Sequence, residues 1–332
     1  MKKILRRSLF TILALILLAV IFYTEENARG KHAWNKAKQR FEARGASMDW
    51  SKYIPPAVPD DQNFFKAPKM TEWFVKGSTF TNDLVRRMTN LKTTGAVGSA
   101  SNAITSELLA KNYVAWSDQY QPDFDLIREA LKRPYARIDC DYSVPFAIQI
   151  PNFIAVRVVA QTLAQRAHCH LILKQPQAAL EDLTLLHDMR HLLEGAPTHQ
   201  PMTLVAAMIN VAVSGLYAEA VSDGTKWHSW NEQQLAELQK QISDVNLTPY
   251  VYDALRTEPV STCEVLRSIT FISFLSEMGN SHIDLSSKII DRSIPRGWMY
   301  QNMANIAMLN EKTMAGYDLE HDTISPRKFD DA

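Results

Sequence analysis

Apolar positions recur along most of this chain at intervals of three and four residues, the spacing that gives a helix one buried face. The pattern is clearest in "PNFIAVRVVAQTLAQRAHCHLILK". There Phe153, Val156, Ala160, Leu163, Ala167 and Leu171 form one stripe, and Pro151 stands where a helix opens. After a short break at "QPQ", Leu180, Leu183 and Leu186 continue in "AALEDLTLLHDMRHLL". "PDFDLIREAL" reads as a shorter helix. "RGWMYQNMANIAMLNEKTMAGY" presents Trp298, Met303, Ile306 and Leu309 on one face. Ser229 with Glu232 and Ser261 with Glu264 match the capping box, which predicts helix starts at both places. Only residues 135–150 read as extended, so the expectation is an all-α body, a helical bundle or irregular α-hairpin array.

The amino terminus follows another pattern. In "MKKILRRSLFTILALILLAVIFYTEEN", Lys2, Lys3, Arg6 and Arg7 precede an uncharged apolar run over residues 9–23. Fifteen helical residues rise about 22 Å, short of a hydrocarbon core of about 30 Å. Ile4 and Leu5 extend the run, and the arginines can snorkel to the interface. A cleaved signal peptide has an apolar run of similar length, but bulky residues occupy the place where small ones mark a cleavage site. The reading is therefore an uncleaved transmembrane anchor. Its basic flank stays in the cytoplasm and the body faces outward, in a bacterium the periplasm. Residues 1–24 would be flank and anchor, 25–70 a juxtamembrane helix and strap, 71–318 the helical body, and 319–332 a polar tail.

Two further stretches call for a decision. "PMTLVAAMINVAVSGLYAEAV" carries no charge before Glu219, so a second span is conceivable on composition. Small residues at Ala206, Ala207, Asn210, Ser214 and Gly215 suit close packing instead, and predict a buried central helix. "YIPPAVPDDQNFFKAP" is held extended by Pro55, Pro56 and Pro59. Proline-rich peptides dock into aromatic grooves, but Trp50, Tyr53, Ile54, Phe64 and Phe65 are too apolar for a free ligand. The stretch reads as a strap pressed on the core, with Asp60, Asp61 and Asn63 satisfying nearby backbone groups. Ahead of it, "EENARGKHAWNKAKQRFEARG" reads as a charged helix ending at Gly45, with Trp34, Ala37, Lys38 and Phe41 on one stripe.

Composition narrows the function. Lysine plus arginine and aspartate plus glutamate each number 36 among 332 residues. No basic excess marks a nucleic-acid binder. Three cysteines, Cys140, Cys169 and Cys263, leave open one disulfide with a spare thiol or three buried thiols. "GAVGSAS" at 95–101 lacks the lysine and spacing of a phosphate-binding loop, and no cofactor motif appears elsewhere.

Catalytic chemistry is sparse. No GxSxG is present, and Cys169 has histidines on both sides that point around a helix away from it. His168 and His170, two apart, cannot share one ion. His187 and His191 in "HDMRH" are four apart on one helix face, a spacing used by zinc sites. They are the candidate metal ligands, with His170, Glu181 or His199 as possible thirds. Zinc peptidases carry glutamate beside the first histidine; this chain has Asp188.

The hairpin of residues 153–186 resembles a single tetratricopeptide-type repeat: Leu163, Ala167, Ala179 and Leu183 occupy its apolar or small positions. Lys174 stands where glycine is usual and Leu186 where alanine is usual, and no second copy follows. "DWSKYIPPAVPDDQNFFKAP", "ALKRPYARIDCDYSVPF", "AALEDLTLL" and "IPRGWMYQNMANIA" together resemble an uncharacterised family of bacterial membrane-anchored helical proteins. That resemblance runs from the strap to about residue 310 and implies a layout without catalytic residues. The expected function is a scaffold or adaptor at the inner membrane, held there through residues 4–23, with a protein partner. The alternative is a periplasmic hydrolase with a cleft near His170, His187 and His191.

Overall fold

The computed structural model describes residues 2–75, 82–89, 103–145, 148–194, 203–268 and 293–325. The "GAVGSAS" loop, His199 and the end of the polar tail lie outside them. The fold is all-α. The chain divides into two compact units, Met1–Lys52 with Ser143–Phe146 and Leu255–Ala332, and Tyr53–Tyr142 with Ala147–Ala254.

In the first unit, α1 (Lys2–Ala43) is one uninterrupted helix of 42 residues. The apolar run and the charged segment after it therefore share a single rod. Its later turns bury Trp34, Ala37 and Phe41, three members of the predicted stripe, while Lys38 stays partly exposed. This half packs on α12 (Arg296–Met314), which buries Met303, Ala304, Ala307 and Met314. The two helices cross at Gly30 and Gly297, where a Cβ on either glycine would collide with the other helix's backbone. Polar contacts fix the crossing. Gly297 N donates to Asn27 Oδ1 at 2.7 Å, and the Trp298 indole N–H donates to Glu26 Oε2 at 2.9 Å. Gly45, at φ +80°, ends the turn that follows α1. Two short strands, β1 (Tyr317–Asp318) and β2 (Thr323–Ile324), pair antiparallel where a tail was expected to begin.

The second unit contains α2 (Met70–Phe74), α3 (Asp83–Thr89), α4 (Ala103–Ser117), α5 (Gln121–Leu131), α6 (Phe153–Ile172), α7 (Pro176–Asp188), α8 (His191–Glu194), α9 (Leu204–Lys226) and α10 (Glu232–Ser243). It also takes the start of α11 (Leu247–Ser268), as far as Ala254. The central helix is α6, which packs against α2, α3, α4, α7 and α9 and buries twelve of its twenty residues. The predicted stripe from Val156 to Leu171 is buried, with Phe153 partly so. The helix expected at the centre, α9, is buried along one side only. Ala206, Ala207, Asn210, Val213 and Ser214 face inward, whereas Val205, Met208 and Val211 are exposed.

The strap lies on this core. Phe64 and Phe65 are buried, edge to face at 5.2 Å, with Phe64 5.7 Å from the Phe74 ring. The chain is extended around Pro55–Pro59 and then makes two 3₁₀ turns, Asp60–Gln62 and Phe64–Lys66. Phe64 N donates to Tyr135 O at 2.7 Å and Tyr135 N to Gln62 O at 3.1 Å, a parallel bridge to the predicted extended stretch. Asn63 does what its position suggests: Oδ1 accepts from Phe65 N and Arg137 N, and Nδ2 donates to Arg137 O. Arg133 donates to the backbone oxygens of Asp60 and Asn63.

Helix starts fall away from the expected serines. Asn152, beside Pro151, caps α6 by accepting from Ala155 N. The capping box of α10 is Asn231 with Gln234, two residues past Ser229, because Trp230 is buried and brings Asn231 to the helix entrance. Ser261 lies inside α11, where its hydroxyl donates to Glu258 O at 2.9 Å, so it caps nothing.

Candidate functional site

Where α7 gives way to α8, the turn through Met189 and Arg190 keeps the helical path, so His187 and His191 stay on neighbouring faces. Their rings stand edge to face, 6.0 Å apart. His187 is buried, pressed by the Tyr217 ring of α9 at 5.8 Å, and its Nε2 lies 3.0 Å from Gln241 O of α10. A carbonyl oxygen only accepts, so Nε2 carries a proton. Nδ1 then faces Asp188 Oδ1 at 3.2 Å. His191 is exposed, and its Nδ1 lies 2.9 Å from Glu194 Oε2. That contact raises the His191 pKa; burial opposes it, and the charges of Glu194 and Asp188 add to it. Burial works to raise Glu194, but the His191 hydrogen bond and the Arg190 charge hold it below its usual value.

His187, Asp188 and His191 each offer a ligand atom, and these atoms lie within 4.8 Å of one another. Two of the three are the sequence candidates. The third is the neighbour Asp188, not His170 or Glu181. His170 turns to Gln175, at 2.8 Å from its Nδ1, and to Asp182, at 3.7 Å from its Nε2. Glu181 accepts from Gln177 on the exposed side of α7. In "HDMRH" Asp188 stands where a peptidase has glutamate, and the turn between α7 and α8 brings its carboxylate within ligand reach of both histidines.

Gln241 supports the group from behind. Its Oε1 accepts from Tyr217 OH at 2.9 Å, and its Nε2 donates to Thr184 Oγ1 and Glu237 Oε1. Arg190 is buried, with NH2 3.2 Å from Glu194 Oε1 and Nε donating to His187 O. Its charge is thus answered by Glu194.

Sequence gave no hint of a second polar grouping. A cleft of about 430 Å³ between α6 and α9 is lined by Gln161, Gln165, His168, Leu216, Glu219 and Asp223, among others. His168 Nδ1 lies 3.3 Å from Asp223 Oδ2, and Trp227 meets the imidazole edge-on at 5.1 Å. The arrangement offers amide, carboxylate and imidazole groups to a small polar molecule. His168 and Asp223 are 55 positions apart, and no spacing rule links residues on facing helices.

A third grouping is structural. Arg166 crosses from α6 to α7, with Nε 3.2 Å from Asp182 Oδ2 and NH1 reaching Ser117 Oγ at 2.7 Å and Asp118 Oδ1 at 2.9 Å. Its guanidinium lies over the Phe124 ring at 5.6 Å. Burial pushes Asp182 up to about 6, against the pull of Arg166 and His170.

The three cysteines are free thiols. Burial pushes Cys169 up to about 11 and Cys263 up to about 12, so neither supplies a thiolate near neutral pH. Cys169 is contacted by Gln165 Nε2 at 3.6 Å, while its flanking histidines turn elsewhere. No family model matches the chain, and neither a curated protein nor a solved structure is similar to it.

Proposed function

We propose that the chain is a single-pass protein of the inner membrane, with residues 4–23 in the bilayer and its helical body in the periplasm. There it acts as a scaffold or adaptor for a protein partner. The observation that carries this reading is the first half of α1. From Leu9 to Phe22 its large apolar residues are 46–62% exposed on every side of the helix. The helix is long and apolar enough to cross a membrane. An apolar surface of that extent in water is strongly unfavourable at about 25 cal/mol per Å², and lipid removes the cost. Lys2, Lys3, Arg6 and Arg7 favour a cytoplasmic start.

The partner half of the proposal draws on α9, which is also long and apolar enough to cross a membrane but is 44% buried along its apolar stretch. Its outward side presents Val205, Met208 and Val211 without a charge before Glu219. Gly215 stands beside them with open space where a Cβ would sit. A second reading, a metal-dependent hydrolase, draws on the convergence of His187, Asp188 and His191. With Asp188 among the ligands, the group leaves no carboxylate beside the first histidine as general base, so the scaffold reading is preferred.

Fractionation of cells making the full chain tests the membrane placement. The chain should stay in the membrane pellet through a carbonate wash, and externally added protease should degrade the body only once the outer membrane is opened. Release by carbonate, or protection of the body in spheroplasts, would overturn it.

A further inference from the structure

We infer that His187, Asp188 and His191 form a binding site for a divalent transition metal of the zinc class. The inference goes beyond the scaffold reading and does not depend on it. It starts from proton positions. Gln241 O fixes the proton of His187 on Nε2, which leaves the Nδ1 lone pair facing the Asp188 carboxylate at 3.2 Å. A lone pair and an anion repel unless positive charge lies between them, and the two sources of that charge are a second ring proton or a bound cation.

His191 favours the cation. Its Nδ1 is engaged by Glu194 Oε2 at 2.9 Å, so in the neutral ring that nitrogen carries the proton and Nε2 keeps its lone pair. Each histidine therefore has one nitrogen held by an oxygen acceptor and the other free to ligate. This is how metal-binding imidazoles are oriented: a carbonyl or carboxylate behind the ring sets its tautomer and raises its basicity. Here the two supports come from different elements, α10 and α8.

Two imidazoles and a carboxylate suit zinc and its neighbours, in contrast to calcium or magnesium, which favour oxygen-only cages. Ligand atoms about 2.1 Å from a tetrahedral ion stand about 3.4 Å apart. Binding would draw the ligand atoms, now within 4.8 Å of one another, to that spacing, and the Asp188 and His191 side chains, 42% and 54% exposed, have room to move. The buried His187 stays fixed. The open side leaves a coordination position for water or for a group from another molecule.

The full chain, purified in detergent through a tag without histidine, is titrated with cobalt(II) and followed by its visible absorption bands. We expect one ion per chain, displaced by zinc(II), and at least tenfold weaker binding in His191→Ala and in Asp188→Asn. Both substitutions are at exposed side chains, and circular dichroism checks that the fold is retained. Absence of a stoichiometric site in the unaltered chain, or equal affinity in the double variant, would overturn the inference. Neither result touches the membrane placement, which fractionation reads separately.

Discussion

Asp182 is the residue where charge and burial conflict most directly. Its side chain is 6% exposed, and burial pushes its pKa from 3.8 to about 6. Arg166, His170 and the more distant Arg128 pull the other way, while Asp118 shares Arg166 with it. Between pH 4 and 6 the folded chain holds a proton that the unfolded chain has released. The stabilisation is therefore complete below the unfolded value and is lost as pH rises through the folded one. Two pKa units correspond to roughly 3 kcal/mol. Denaturant unfolding of the full chain, compared with Asp182→Asn, should show the unaltered chain losing about that much relative stability from about pH 3 to about pH 7. A difference that stays flat across this window would mean that Arg166 has fully offset the burial of the carboxylate.

Elements are held by contacts that sequence reveals unevenly. The strap was legible because prolines restrict backbone angles wherever they occur, and two adjacent phenylalanines need a core. Replacing Phe64 with alanine should lower the unfolding free energy by about 3–5 kcal/mol, and Phe65→Ala by a similar amount. Unchanged denaturation midpoints would place these rings outside the load of the core. The stripes of α6 and α7 were equally readable, since period alone defines a buried face. The Gly30–Gly297 crossing was not, because it joins residues 267 positions apart. The capping boxes failed for a related reason: Ser-x-x-Glu is a local pattern, and burial of Trp230 and continuation of α11 through Pro259 decided where helices begin. Lys174 is instructive as well. It adopts φ +57° just past the end of α6, a left-handed backbone that favours glycine, and lysine bears the strain. Of the candidate metal group, helical spacing gave His187 and His191; their supports Gln241 and Glu194 came only with packing.

At the scale of the whole molecule, two helices carry apolar surface that the described residues leave uncovered, and they differ in kind. The start of α1 is apolar all round, as a lipid-facing helix must be. In α9 only one side is exposed, and the other packs against the core around α6 through Val213 and Tyr217 and against Tyr250 and Ala254 of α11 through Ala207, so this helix cannot leave the body for a bilayer without exposing them. A side that is apolar, uncharged and backed by a fixed core suits a protein partner, because the helix need not reorganise to be recognised. Charge placed on that side should then abolish partner capture without unfolding the body. For Met208→Glu, where the side chain is 64% exposed, the stability change should be within about 0.5 kcal/mol. In membranes, cross-linking from a photoreactive residue at position 205 should yield a reproducible adduct in the parent chain and lose it in the Met208→Glu variant. Lys226→Glu at the far end of α9, also exposed, serves as the control and should leave the adduct intact. An adduct that survives Met208→Glu would show that α9 is not the contact surface, and failure to obtain any adduct would count against a scaffold altogether. Because the apolar start of α1 and the charged substitution lie on different helices, carbonate-resistant sedimentation should be the same in all three chains, which separates loss of a partner from loss of the proposed membrane placement.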